Sequence, residues 1–193
     1  MKKGVYSLVT MMFIALSFIG CNDSEELPKY SSDDLLGTWK MVSFVYEGST
    51  VETVQGETGE TDFKAVCKNI SASLTVTQNP NKINAEGSYD IDLTANMSGF
   101  GSQTKTIPVT DISNTADWSL EGDILTIAGA TFSVDIPSDT GMPQGSGIEI
   151  SQDFVVEELT DSKLRIRSSS EKTFDFDQIS RTIKLNAVFE YTK

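Results

Sequence analysis

Histidine is missing from this 193-residue chain, and that absence removes much of the chemistry open to a small protein. Ser-His-Asp and Cys-His nucleophiles need an imidazole to take a proton near neutral pH, and the commonest zinc sites need its nitrogen. Carboxylates and thiols remain. Glu157 and Glu158 are adjacent, and Asp90/Asp92 and Asp175/Asp177 form two Asp-x-Asp pairs. Two carboxylates held across a cleft can cleave a glycosidic bond. Adjacent residues of a strand point to opposite faces, however, and residues two apart share a face. Nothing in this spacing sets two acids across a cleft. Neither Asp-x-Asp pair carries the glycine of a calcium loop at its sixth position. Solvated strand faces account for these acids. The expectation is a protein that is not an enzyme and holds no metal or cofactor.

The two cysteines have different surroundings. Cys21 follows Phe18-Ile19-Gly20, at the end of an apolar run opened by Lys2 and Lys3. A positive start, an apolar stretch and a small residue at the cut make a secretory leader. A cysteine just past that small residue resembles the lipobox of bacterial lipoproteins, with Phe18 standing where the family usually has leucine. The resemblance implies cleavage after Gly20, a diacylglycerol on the Cys21 thiol and, usually, an acyl group on the new amine. The run 5–19 is broken by serine and threonine and is shorter than the about 20 apolar residues of a bilayer span. Two or three acyl chains hold a protein firmly on a membrane. Asn22-Asp23-Ser24-Glu25-Glu26 comes next. It is similar to the acidic signal that sends lipoproteins of the Bacteroidota to the outer face of the outer membrane; the alternative is a solvated tether. The resemblance implies a signal peptide over 1–20, a lipidated tether over 21–32 and a folded domain over 33–193, anchored in the outer membrane and facing the cell surface.

With Cys21 lipidated, Cys67 has no partner for an intramolecular disulfide. It shares a strand face with Phe63 and Ala65 and reads as a small buried hydrophobe. The chain carries 28 acids against 15 basic residues, a net charge of −13, and loss of the first 20 residues would take two lysines and make it −15. So acidic a surface excludes nucleic acid as a partner and disfavours docking on anionic headgroups, because both need lysine and arginine. It serves solubility.

The elements that position these residues are strands. Tyr89, Ile91, Leu93, Ala95 and Met97 alternate with Asp90, Asp92, Thr94 and Asn96. Ile183, Leu185, Ala187, Phe189 and Tyr191 alternate with Lys184, Asn186, Val188 and Glu190. Ile70/Ala72/Leu74/Val76, Phe132/Val134/Ile136 and Leu164/Ile166 do the same over shorter runs. Period two with one polar face predicts antiparallel sheet with that face in water. Turn sequences separate the runs: Asn79-Pro80-Asn81, Ser98-Gly99-Phe100-Gly101-Ser102, Glu121-Gly122-Asp123 and Thr160-Asp161-Ser162. The stretch 137–147 (PSDTGMPQGSG) is the longest loop. One place is helical: Ser31 caps two acids and two leucines that end at Gly37.

That turn runs into Gly37-Thr38-Trp39-Lys40-Met41-Val42-Ser43-Phe44. Here the chain resembles the lipocalin-like lipoproteins of the Bacteroidota, in which a helical turn leads into a Gly-x-Trp first strand. Trp118-Ser119-Leu120-Glu121-Gly122-Asp123-Ile124-Leu125 and Glu158-Leu159-Thr160-Asp161-Ser162-Lys163-Leu164 look like a middle and a late hairpin of that group. The resemblance implies an all-β, antiparallel, up-and-down lipocalin-like (calycin) β-barrel of about 8–10 strands after a short N-terminal helical turn. Gly37 and Trp39 would close one end. The arginine that covers this tryptophan from the last lipocalin strand has no clean match, since Arg181 precedes that strand and Lys184 lies within it.

Two functions follow. In the first, the barrel binds a small apolar or amphipathic ligand, lined by Met41, Tyr89, Ile91, Leu93, Phe132, Val134, Leu185 and Phe189. Phe100, on the Gly99-Phe100-Gly101 tip, either guards the portal or tucks over the mouth. In the second, side chains fill the barrel, and its outside meets a protein or glycan partner. About eight strands can enclose either one ligand or side chains alone.

Overall fold

The computed structural model describes residues 30–97, 101–128, 133–134, 148–149, 152–176 and 179–193. Cys21, Phe100, Phe132 and the stretch 137–147 lie outside them. The chain starts with a one-turn helix, α1 (Ser32–Leu35). The Ser31 hydroxyl oxygen accepts from the Asp33 amide, and the Ser31 amide donates to the Asp34 carboxylate. This capping box satisfies amides that have no partner within so short a helix. Leu35 points into the core.

Ten strands follow: β1 (Gly37–Val54), β2 (Glu57–Thr77), β3 (Lys82–Met97), β4 (Gly101–Glu121), β5 (Ile124–Ala128), β6 (Ser133–Val134), β7 (Ile148–Glu149), β8 (Asp153–Leu159), β9 (Lys163–Phe176) and β10 (Ile179–Thr192). Eight close into an antiparallel up-and-down barrel in the order β1-β10-β9-β8-β5-β4-β3-β2. This is the all-β fold that the alternation predicts, and it is consistent with a lipocalin-like barrel. β6 and β7 form a separate two-stranded sheet in which Val134 pairs with Ile148. Val134 is therefore not on a barrel strand, contrary to expectation. Its alternation with Phe132 and Ile136 is real, but period two reports a face and not a pairing partner.

Inward residues occupy the positions that the alternation gives them. Ile91, Leu93 and Ala95 are buried on β3, Leu185, Ala187, Phe189 and Tyr191 on β10, and Leu164 and Ile166 on β9. Phe44 and Phe189 face each other across β1 and β10 with rings stacked 4.2 Å apart. Two glycines permit the tight places. A Cβ on Gly48 would stand 2.0 Å from the Lys184 carbonyl oxygen and 2.8 Å from Phe63. Gly87 has φ +122°, and a Cβ there would stand 2.0 Å from the Ser71 carbonyl oxygen. Both neighbouring ladders shift register at that point, as at a bulge.

The wall is uneven. The β3–β4 ladder runs from Lys82 to Met97, whereas β4 meets β5 only from Asp117 to Glu121, and β8 meets β9 only from Val155 to Leu159. Among the described barrel strands, the part of β4 before Asp117 therefore has a ladder on one side alone. This accounts for Pro108 inside a strand, since a proline cannot donate to a second ladder.

Candidate functional site

At the end of the barrel that carries α1, Trp39 is fully buried and its indole N–H donates to the Leu35 carbonyl at 2.7 Å. The Lys193 ammonium stands 4.2 Å from the centre of the ring and also donates to the Asp34 carbonyl. The cation over the tryptophan is thus the last residue of the chain. Arg181 lies inside β10, not before it, and pairs with Glu52; Lys184 pairs with Glu171. Trp118 is buried as well and donates to the Thr77 carbonyl at 2.9 Å. Neither tryptophan is on the wall of the barrel's cavity.

That cavity has a volume of about 130 Å³. Its wall comes from Met41 of β1, Ala72 and Leu74 of β2, Ile83, Ala85 and Tyr89 of β3, Val109, Ile112, Asn114 and Ala116 of β4, Ile127 of β5, and Phe189 and Tyr191 of β10, with Ser73 and Glu86. Of the expected lining, Met41, Tyr89 and Phe189 are on this wall. Ile91, Leu93 and Leu185 are not. They are buried one or more layers further along, within the hydrophobic core. In that layer Leu93 pairs across the sheet with Ala65, which pairs with Tyr46, and Leu185 pairs with Gly48, which pairs with Phe63. The rings of Phe44, Tyr46 and Phe63 take the volume that a larger pocket would need.

The empty space lies where inward positions carry small side chains. Ala72 on β2, Ala85 on β3 and Ala116 on β4 leave room that the bulkier positions beyond them do not. Three inward alanines on successive strands were the sequence signal for this cavity, and a reading of bulky residues alone passes over it.

Four groups with titratable protons gather here. Tyr89 and Tyr191 are on the wall; Cys67 is close enough to raise the pKa values of Tyr46, Tyr89 and Tyr191 further, and Tyr89 does the same to Tyr46 and Tyr191. Burial is the main cause in each case. It pushes the Cys67 thiol up to about 12 and Tyr89 up to about 12, and raises Tyr46 and Tyr191 as well. Cys67 is half-buried, and a thiol so hard to ionise behaves as a hydrophobe, as its strand face implies. The Tyr46 residue is 1 % exposed, and its hydroxyl has no hydrogen-bond partner among the described residues.

Glu157, Glu158 and Asp92 are each paired with a cation. Glu157 accepts from Arg165 at 2.7 Å and from Arg167 at 2.6 Å, and these bonds hold its carboxyl below the usual range. Arg165 also bonds Glu190, and Glu158 pairs with Lys163. Asp92 is lowered by bonds from Lys68 and Thr106, and Asp90 accepts from Asn69. Asp175 is exposed, and Asp177 lies outside the described residues. Among the described residues no group of His, Cys, Asp and Glu is arranged to hold a metal ion.

Comparison with protein-family models, curated proteins and solved structures yields no match to this chain.

Proposed function

We propose that this chain is a lipid-anchored protein of the bacterial outer membrane whose barrel binds a small apolar or amphipathic molecule. The observation that carries the binding reading is the 130 Å³ cavity walled mainly by apolar side chains. Its size sets the ligand class. A void of about 150 Å³ takes benzene, whereas pockets for drug-sized ligands measure about 300–1,000 Å³. The ligand, or the part of it that enters, is about one six-membered ring in bulk, and a whole acyl chain does not fit. So few atoms support a Kd in about the submillimolar range. Reaction chemistry is not part of this reading, because Glu157, Glu158 and Asp92 are held in ion pairs and the chain has no histidine.

The test is titration of the purified protein with methylenecyclohexane, followed by amide NMR shifts, beside an Ala85→Leu variant that fills the cavity. Saturable shifts at residues of the wall, lost in the filled variant, support the reading. Absence of saturable shifts in the parent removes it.

The anchor rests on Lys2, Lys3, the apolar run and Cys21. Cys21→Ala should abolish palmitate labelling and release the protein from membranes, and unchanged labelling would remove the anchor. Protease shaving of intact cells separates the cell surface from the periplasmic face.

A second reading has its own observation. Val188, Val45 and Val66 stand in one row across β10, β1 and β2; Val45 and Val188 are half-buried and Val66 is exposed, as is Val42 further along β1. Apolar side chains on the outside of the barrel suit a protein or glycan partner. That reading gains if methylenecyclohexane fails to bind.

A further inference from the structure

Along β4, the residues turned toward the barrel interior are Ile107, Val109, Ile112, Ala116, Trp118 and Leu120, with Asn114 among them. The step of three from Val109 to Ile112 is a bulge. Tyr89 pairs with Val109 and Gly87 with Ile112, and Asp111 has φ +56°. Asn114 is therefore the one polar side chain in an otherwise apolar inward series. Its neighbours fix its direction. Leu74, Ala85 and Asn114 stand in one cross-strand row, and all three are on the cavity wall. Thr115 faces the other way, where its hydroxyl donates to Asn84 at 2.7 Å.

Asn114 is also exposed, whereas Ala116, two residues on in the same register, is buried. The change comes where the ladder with β5 stops, at Asp117. The cavity thus meets water beside β4, and Asn114 stands at that opening. Whichever way its carboxamide is turned, it offers both a donor and an acceptor. Among the described residues no hydrogen bond engages it.

The other polar residues of the wall are placed differently. Ser73 and Glu86 pair with each other in the outward register, next to Leu74 and Ala85. Tyr89 and Tyr191 are inward, the first half-buried and the second buried. Glu86 is the one charged residue of the wall, and neither lysine nor arginine is on it. A carboxylate brought here would lose water without gaining a countercharge. The net charge of −13 also lowers the local concentration of anions.

We propose that the ligand is uncharged and amphipathic, and that Asn114 selects its polar end. The hydrocarbon part lies in the cavity beside Ala72, Ala85 and Ala116. The polar end is a group that both donates and accepts hydrogen bonds, and the Asn114 carboxamide holds it at the side of the barrel. A primary amide on a compact ring fits, and a carboxylate of the same shape does not. This inference rests on the binding reading of the same cavity and adds the chemistry of the ligand's polar end.

The experiment uses three probes built on one ring: cyclohexanecarboxamide, cyclohexanecarboxylate and methylenecyclohexane. Each is titrated by NMR at pH 7 into the parent and into Asn114→Ala. In the parent, the side-chain NH2 signal of Asn114 is expected to shift with cyclohexanecarboxamide and to saturate together with the backbone amides of the wall. In Asn114→Ala, cyclohexanecarboxamide binding weakens about three- to tenfold, the worth of one hydrogen bond. Methylenecyclohexane binding stays within about twofold. Cyclohexanecarboxylate binds the parent about tenfold more weakly than the carboxamide, or not at all. Equal affinity of parent and variant for the carboxamide, or an NH2 signal that does not move, would make Asn114 a solvated edge residue and overturn the inference. So would equal weakening of the carboxamide and methylenecyclohexane in the variant, or cyclohexanecarboxylate binding as tightly as the carboxamide. If methylenecyclohexane does not bind the parent, the binding reading itself fails; if it binds but the carboxamide ignores Asn114, only this inference fails.

Discussion

Trp39 has one polar atom, and the fold satisfies it within one turn of chain. The indole N–H meets the Leu35 carbonyl, a helix-end oxygen with no partner inside so short a helix. The ring itself is fully buried beneath Lys193. Trp39→Ala should therefore cost about 3–5 kcal/mol, as loss of a buried aromatic does, and urea unfolding measures it. A cost below about 1 kcal/mol would mean that Trp39 does not close the barrel. Lys193→Ala should cost less, about 0.5–1 kcal/mol, since it removes a partly solvated cation–π contact. The burial of Trp39 was legible because Gly37-Thr38-Trp39 is a contiguous motif. Lys193 was not, because it has no motif and reaches the ring only through the pairing of β10 with β1. The alkaline limb of stability follows from Cys67 and Tyr89. Both stay neutral in the fold up to about 12, against ordinary values of 9.0 and 10.0. A raised pKa leaves their contribution intact below the unfolded value and removes it as pH climbs toward the folded one. The urea midpoint should stay level to about pH 9 and fall between pH 9 and 12. Cys67→Ala should remove the earliest part of that fall, and an unchanged profile in the variant would show that the thiol is free to ionise in the fold.

Alternation along the strands gave their faces but not their lengths. β2 and β4 each run for 21 residues and β1 for 18, and each carries polar or glycine positions that look like breaks in a linear reading. Gly48 sits inside β1, and Asn69 inside β2 has φ +51°. The ladders pass these points because the partner strand compensates, which is a property of the pair and not of either sequence. The same limitation misplaced Val134. Gly48 offers a direct check on how closely the strands approach. Gly48→Ala would place a Cβ against the Lys184 carbonyl oxygen and the Phe63 ring. Backbone cannot yield as a side-chain tip can, so the substitution should cost about 2–4 kcal/mol, more than most single changes. Thermal unfolding decides this. A shift of less than about 1 °C would show that β1 and β10 can separate there without loss.

A cavity is the difference between the space that eight strands enclose and the volume their side chains fill, so no single segment reveals it. Met41, Tyr89 and Phe189 were legible as inward residues, yet whether they face a void depends on Ala72, Ala85 and Ala116 across the sheet. Charge is the property of the assembled protein that the sequence does fix, with 28 acids against 15 bases. Salt acts on it in two opposing ways. It weakens surface ion pairs, and it relieves the repulsion among the excess acids. Pairs such as Lys64–Glu47 and Lys184–Glu171 are long and exposed, and such pairs contribute about 0–1 kcal/mol each. The repulsion acts across the whole surface, because the screening length is about 30 Å at 0.01 M salt and about 10 Å at 0.1 M. Relief of repulsion should therefore win, and the urea midpoint should rise as sodium chloride goes from about 0.01 to 0.3 M. A falling midpoint would mean that the Glu157–Arg165–Glu190–Arg167 network holds more of the stability than the excess acids take away. Comparison of the parent with Glu157→Gln at both salt levels would then measure that share, since the substitution breaks the network and also removes one negative charge.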